Sequence, residues 1–422
     1  MRTKKFLTQL RTLFVILPAI LFVMVSESVG QVEKILYSFD SFGYPEEFGV
    51  ITGPGGSLYG TAPAGYGYSG SFAFELTPSA GGIWTESTLA NIPLKTGFLS
   101  SCTLLADASG NLYGTTPAVG SYAGTVFELS PIADGGWSLQ TLHTFTTTGG
   151  DGYDPEGTLI LDSDGKLYGT TYYGGGGGCS DGIGTGCGTV FELAPAGDGI
   201  WTERILHSFS IGDQDGQNPF AGVVIDGAGN LYGTTVYGGT GYGAVFELKP
   251  GNGSNGVEKI LHRFNNNGKD GLMPTAGMVF DAHGNLFGTT SQGGIFQASG
   301  GGTAFELTPS SNGGWSEKII HNFGGGINGI PGYLGGTLLT DTSGNLYGVT
   351  LNGGVNNVGA VYELSPSENG NWSEKTLYSF SEENDNGVTP TGGLHSDAAG
   401  NLYGTTFAGG ANDVGTVFEV TP

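Results

Sequence analysis

The sequence has little positive charge, few cysteines, and no long apolar run beyond its first thirty residues. Lysine and arginine together number 14 against 38 aspartates and glutamates, a net charge of −24 over 422 residues. A field of that sign repels phosphate backbones and anionic membrane surfaces. It argues against nucleic acid as a partner and suits cations or neutral ligands. The three cysteines form no redox pair, and no Ser-His-Asp order, phosphate-cradling loop or metal-binding His pair is present. Nothing after the first thirty residues sustains a helical period, and no apolar segment lies near the C-terminus.

The N-terminus carries the exception. Arg2, Lys4, Lys5 and Arg11 precede and open an apolar run, Leu13–Val25, broken only by Pro18, and Ser28-Val29-Gly30 offers small residues for cleavage. Residues 1–30 read as a secretory signal, too short and too interrupted for a membrane span. The expectation is an exported protein, periplasmic, cell-surface or extracellular, with no membrane span in the mature chain and acting as a monomer. In an oxidising compartment Cys179 and Cys187, eight residues apart in one glycine-rich loop, are expected to bridge. Cys102 stands alone in an apolar stretch and reads as a buried small hydrophobe.

What the chain has in abundance is glycine, 82 residues, together with 11% aromatics. This is the composition of many tight turns between short strands. The phrase Leu-Tyr-Gly-Thr and its variants begin at Leu58, Leu112, Leu167, Leu231, Leu286, Leu346 and Leu402, 54 to 64 residues apart. Each copy holds four strand-like runs. In the third they are Thr158–Asp162, Lys166–Tyr172, Thr189–Leu193 and Trp201–Phe209. Asp-x-x-Gly-Asn joins runs one and two, as at Asp107–Asn111 and Asp226–Asn230. Its Asp accepts from nearby backbone N–H groups, and its Gly supplies a positive φ. The first copy has Gly53 in place of that Asp. Prolines such as Pro195 and Pro309 end run three.

Four antiparallel strands at this repeat length predict an all-β fold, a seven-bladed β-propeller over residues 31–422. The ends agree with this. Glu33–Phe39 is a fourth run with no preceding three, and Gly415–Thr421 is a third run with no fourth. Joining them completes the seventh blade and leaves no open edge.

The recurring phrases Gly-Asn-Leu-Tyr-Gly-Thr-Thr, Gly-Thr-Val-Phe-Glu-Leu and Trp-x-Glu-Lys-x-Leu-His-Ser-Phe resemble those of the bacterial GloVer tandem repeat proteins, the choice-of-anchor group. The resemblance spans the chain after the signal. It implies an exported protein, often attached by a variable terminal anchor, though no sorting tail precedes Pro422. It carries no settled activity and no catalytic residues.

Repetition sorts the candidate chemistry. A Glu in run three of every copy, Glu75 through Glu419, serves what every blade shares and is expected to accept hydrogen bonds within or between blades. His143, His207, His262 and His321 hold one position of run four, where Tyr37 and Tyr378 stand in two other copies, and are expected to pack with one hydrogen bond each. The tryptophans opening run four and the Tyr and Gly of Leu-Tyr-Gly-Thr read as packing, the Gly admitting a neighbouring sheet.

Function is expected where the copies differ, in the connections after runs two and four, which share one face. Asp151, Asp215 and Asp270 offer an acidic rim for sugar hydroxyls or a cation such as calcium. Tyr66, Tyr68, Tyr172, Tyr173, Tyr237 and Tyr242 offer stacking surfaces. The insertion 174–188, containing Asp181, is the sharpest asymmetry, and the loop 293–302 is second. A non-catalytic binding propeller for a glycan or protein partner is the leading expectation, with no cofactor. The alternatives are a polysaccharide hydrolase or lyase using those aspartates, and a structural envelope protein.

Overall fold

The computed structural model describes residues 33–40, 49–63, 70–93, 103–118, 121–133, 135–180, 184–212, 215–251, 256–296, 301–324, 336–383 and 385–422. They form a seven-bladed β-propeller of antiparallel blades. Residues 1–30, expected as a secretory signal, and Cys102 lie outside the described residues. Among those described, no helix is long and apolar enough to cross a membrane.

Blade three shows the plan: Ile160–Leu161, Leu167–Thr171, Thr189–Gly197 and Ile200–Ser208 lie side by side in chain order. Strand two is buried along its whole length, whereas strand four is exposed or half-buried at every residue but Leu206, as an outer strand is. The seventh blade closes as the termini require. Glu33–Ser38 pairs antiparallel with Thr416–Val420, from Glu33 opposite Val420 to Ser38 opposite Thr416.

Strand one is shorter than the five-residue run expected, only two residues in blade three. The backbone just before it packs on the next blade instead. A Cβ added to Gly157 would lie 2.3 Å from the backbone N of Gly222 in blade four. Thr170 Oγ1 crosses the same seam to the Ala221 carbonyl at 2.9 Å.

The hairpin chemistry follows the sequence. Asp226 Oδ1 accepts from the N–H groups of Ala228 and Asn230, while Oδ2 accepts from Asn230 Nδ2 and Tyr232 Oη at 2.8 and 3.0 Å. In blade one there is no carboxylate: the Gly53 N–H donates to the Ser57 carbonyl, as the Asp226 N–H does to the Asn230 carbonyl, and the Tyr59 ring occupies the space a side chain would need.

The glycine of Leu-Tyr-Gly-Thr corrects one expectation. It admits a ring of its own blade rather than a neighbouring sheet: a Cβ on Gly169 would lie 2.5 Å from Phe191 Cζ, directly across the ladder. The neighbouring blade is reached by aromatic rings. Phe145, Phe209 and Phe264, from strand-four ends, meet Phe191, Phe246 and Phe305 of the next blade edge-on at 5.2, 5.3 and 5.2 Å. Trp137, Trp201 and Trp315 pack on Tyr59, Tyr113 and Tyr232 of the preceding blade. Each ring buried between blades contributes on the order of 2–3 kcal/mol, so the seams carry much of the stability.

The polar repeats serve the same ends. Glu192 accepts from Arg204 at 2.9 Å within its blade, and Glu247 lies 3.4 Å from Lys249. Gln140 and Lys259 reach forward to the Gly199 and Gly313 carbonyls in the outer hairpins of the next blades, both at 2.6 Å.

Candidate functional site

The connection entering a blade and the one leaving its second strand meet as a two-residue antiparallel ribbon. Gly152–Tyr153 pairs with Tyr173–Gly174, Gly216–Gln217 with Tyr237–Gly238, and Gly271–Leu272 with Gln292–Gly293. The two loop sets therefore share one face, as strand parity requires. The glycines are constant because the ribbon rests on a threonine pair. A Cβ on Gly152 would lie 2.3 and 2.5 Å from the hydroxyls of Thr171 and Thr189, which hydrogen-bond each other at 2.8 Å.

The position beside each glycine is free to vary. Opposed pairs there are Tyr153/Tyr173, Gln217/Tyr237, Leu272/Gln292 and, in blade seven, Val388/Ala408. The following residue, Asp154, Asn218, Met273 or Thr389, takes a left-handed φ of 54 to 65°. Its N–H is held by a carbonyl of the preceding blade, at 2.9 Å for Asp154 and 2.7 Å for Asn218. For Met and Thr that conformation costs roughly 1–3 kcal/mol, which the ribbon geometry imposes.

Blades three and four enclose a cleft of about 290 Å³ on this face, lined by Tyr173, Cys179, Ser180, Gly186, Ile211, Gln217, Asn218 and Tyr237. Its wall is the blade-three insertion, closed by the Cys179–Cys187 disulfide. The Gly186 N–H donates to the Cys179 carbonyl at 2.9 Å, and the Thr185 N–H donates to Tyr153 Oη at 2.7 Å. Tyr153 and Tyr173 stack beneath it, ring centroids 5.4 Å apart. Asn218 Nδ2 donates to the Tyr172 carbonyl at 2.9 Å, fixing the floor. A larger cavity of about 500 Å³ on blade two is lined mainly by threonines, with Pro93, Pro117 and Tyr122.

The tyrosines expected as stacking surfaces divide. Tyr237 and Tyr242 are 39% and 37% exposed, whereas Tyr173 is buried and Tyr172 lies edge-on between Tyr173 and Phe220. Asp181, Tyr66, Tyr68 and residues 297–300 lie outside the described residues.

The aspartates do not form an open rim. Asp151 Oδ2 accepts from the Thr146 N–H at 2.8 Å, Asp215 Oδ2 from the Ser210 N–H at 2.8 Å, and Asp270 Oδ2 from the Asn265 N–H at 3.1 Å. Each caps its own turn and is turned inward by those bonds. Each also faces a histidine of its own blade and a glutamate of the next. The groups are His143, Asp151 and Glu203; His207, Asp215 and Glu258; and His262, Asp270 and Glu317. In each, one donor atom per residue lies within 4.8 Å of the others.

These glutamates, from the Trp-x-Glu phrase of strand four, were not among the residues singled out in the sequence. Of the histidines expected to make one hydrogen bond each, His207 and His262 bond their aspartates, whereas His143 Nε2 and His321 Nε2 are buried with no hydrogen-bond partner. Burial, reinforced by Asp151, raises the Glu203 carboxyl to about 8, and burial raises those of Glu258 and Glu317 to about 7. Burial also depresses His143.

A family model described as the Gloeobacter/Verrucomicrobia repeat matches residues 177–337 and 298–422. No curated protein matches the chain. Among solved structures, a putative oxidoreductase (glucose dehydrogenase) from Thermus thermophilus is 14% identical, covering 93% of this chain and 100% of its own, with a TM-score of 0.44. A protein of unknown function from Dyadobacter fermentans is 12% identical over 92% of this chain and 96% of its own, TM-score 0.44. A luciferin-regenerating enzyme is 14% identical over 93% and 96%, TM-score 0.41.

Proposed function

The chain belongs to the Gloeobacter/Verrucomicrobia repeat family, and from that premise we propose that it is an exported binding propeller whose ligand is a glycan held on the ribbon face between blades three and four. The observation that carries this reading is the cleft itself. It sets an exposed tyrosine ring, Tyr237, beside the amides of Gln217 and Asn218 and the Ser180 hydroxyl. A sugar ring offers an apolar face and a fringe of hydroxyls. An aromatic side chain with amide donors and acceptors at its edge matches both. The disulfide hairpin fits an oxidising compartment and holds the wall in place before ligand arrives, lowering the entropy lost on binding. The hydrolase reading needs free aspartates at the face, and Asp151, Asp215 and Asp270 are tied into turns.

The test is a broad glycan array with the full chain and the Tyr237→Ala variant. A defined saccharide set bound by the parent and weakened at least about tenfold in the variant, with unchanged thermal stability, is expected. No bound glycan, or equal binding by both chains, overturns the reading.

A further inference from the structure

The His–Asp–Glu groups between blades have the chemistry of metal sites. We propose that His143–Asp151–Glu203, His207–Asp215–Glu258 and His262–Asp270–Glu317 each bind one divalent transition-metal ion, zinc being the member that suits the donors. The proposal is independent of the glycan reading.

Four observations converge on it. The first is spacing. His143 Nε2 lies 3.9 Å from Asp151 and 3.7 Å from Glu203, His207 Nε2 lies 3.3 Å from Asp215 and 4.0 Å from Glu258, and His262 Nε2 lies 3.3 Å from Asp270. A charge-assisted hydrogen bond would bring such atoms to about 2.7–2.9 Å. Two ligands about 2.1 Å from one tetrahedral ion are roughly 3.4 Å apart, a distance within the 3.3–4.0 Å span of these separations. His207 and His262 reach their aspartates only at the long end of hydrogen-bond range, 3.3 Å in each case.

The second observation is unmet hydrogen bonding. Glu203 Oε1, Glu258 Oε1, Glu317 Oε1, His143 Nε2 and Asp151 Oδ1 are shut away from solvent with no hydrogen-bond partner. Such atoms ordinarily find one. They cluster at the blade seams, where Glu33 Oε1 and Asn386 Oδ1 of the six–seven seam are unpartnered too, and in the three histidine groups an ion would satisfy several of them together. The third is preparation. Each aspartate is already oriented by its turn, as when Asp215 Oδ2 accepts from the Ser210 N–H and hydroxyl, both at 2.8 Å. Ligand carboxylates are commonly fixed this way. With the glutamate proton displaced by the ion, two carboxylates and a neutral imidazole carry a charge matched by a dication, and the imidazole favours zinc over calcium.

The fourth lies in the repeat. At the seam of blades six and seven the same positions hold Tyr378, Asn386 and Glu33, with Asn386 and Tyr378 hydrogen-bonded. His and Asp are replaced together, leaving one carboxylate and no imidazole. That seam supplies the control.

The test loads the full chain with zinc chloride, removes free metal by gel filtration, and counts ions by native mass spectrometry. Three zinc ions per chain are expected. The double variant His207→Tyr/Asp215→Asn rebuilds the six–seven seam, so it should fold and retain two. Glu258→Gln should likewise cost one ion. A folded parent that retains no zinc, a double variant that retains as many ions as the parent, or retention of calcium in preference to zinc overturns the proposal.

Discussion

The seam between blades one and two differs from the seam between blades three and four at the same positions. In the register of strand four, Ala90 opposite Ala73 corresponds to His207 opposite Val190. Likewise Leu139 opposite Leu129 corresponds to Glu258 opposite Leu248. Blades one and two therefore meet through Ala90 and Leu139, packed on one apolar cluster, where blades three and four meet through His207, Asp215 and Glu258. Both seams close. The polar group is thus not a requirement of blade packing, and its members vary separately: Glu33 remains where Tyr378 replaces the histidine, and His321 keeps its place in the copy whose sequence has Asn328 for the aspartate. A buried carboxylate is a burden on stability unless something answers it.

The largest effect comes from crossing the two seams. Leu139→Glu places a carboxylate in the apolar seam without an answering group, and urea denaturation should show a loss of about 3–5 kcal/mol. Adding Ala90→His to that variant should restore part of the loss, by roughly 1–2 kcal/mol, because the two side chains then meet as they do elsewhere. Equal stability of the single and double variants would show that the positions do not act together.

The intermediate seam, Glu33 with Tyr378 and Asn386, yields a smaller effect through pH. Burial raises the Glu33 carboxyl to about 7 against the hydrogen bond from Tyr378, which lowers it. The folded chain therefore holds this proton more tightly than the unfolded chain. The contribution is complete below the ordinary carboxylate value and is lost as pH rises through about 7. Stability of the parent minus that of Glu33→Gln should fall with rising pH across that window, by on the order of 2 kcal/mol. A difference that is flat or rises with pH would contradict the assignment.

How much of this was legible beforehand depends on the range of the interaction. Hairpins and closure were legible because they are local or forced. Asp226 speaks to residues within six positions of itself, and a ring with a lone fourth strand at one end and a lone third at the other can close only one way. The Cys179–Cys187 bridge was legible from its spacing. The two-residue ribbons were only half visible, since strand parity places both loops on one face but does not say that they pair.

The Glu203, Glu258 and Glu317 positions were missed for a physical reason. Which face of strand four meets the preceding blade is set by blade twist, and nothing within one copy reveals it. A signal did exist across copies, in the joint change to Ala90 and Leu139 where the other seams hold histidine or tyrosine with glutamate. The supposed acidic rim failed in the opposite direction. Asp151, Asp215 and Asp270 sit before a tight Gly, as surface turn residues do, yet the backbone N–H five positions earlier draws each carboxylate inward.

The most direct test of the claim that the polar seams answer to an ion is anomalous diffraction at the zinc absorption edge from zinc-soaked crystals of the full chain. The account predicts three peaks, between His143 and Glu203, between His207 and Glu258, and between His262 and Glu317, with none at Tyr378–Asn386–Glu33. Density without a peak at the three seams, or an equal peak beside Asn386, would contradict it.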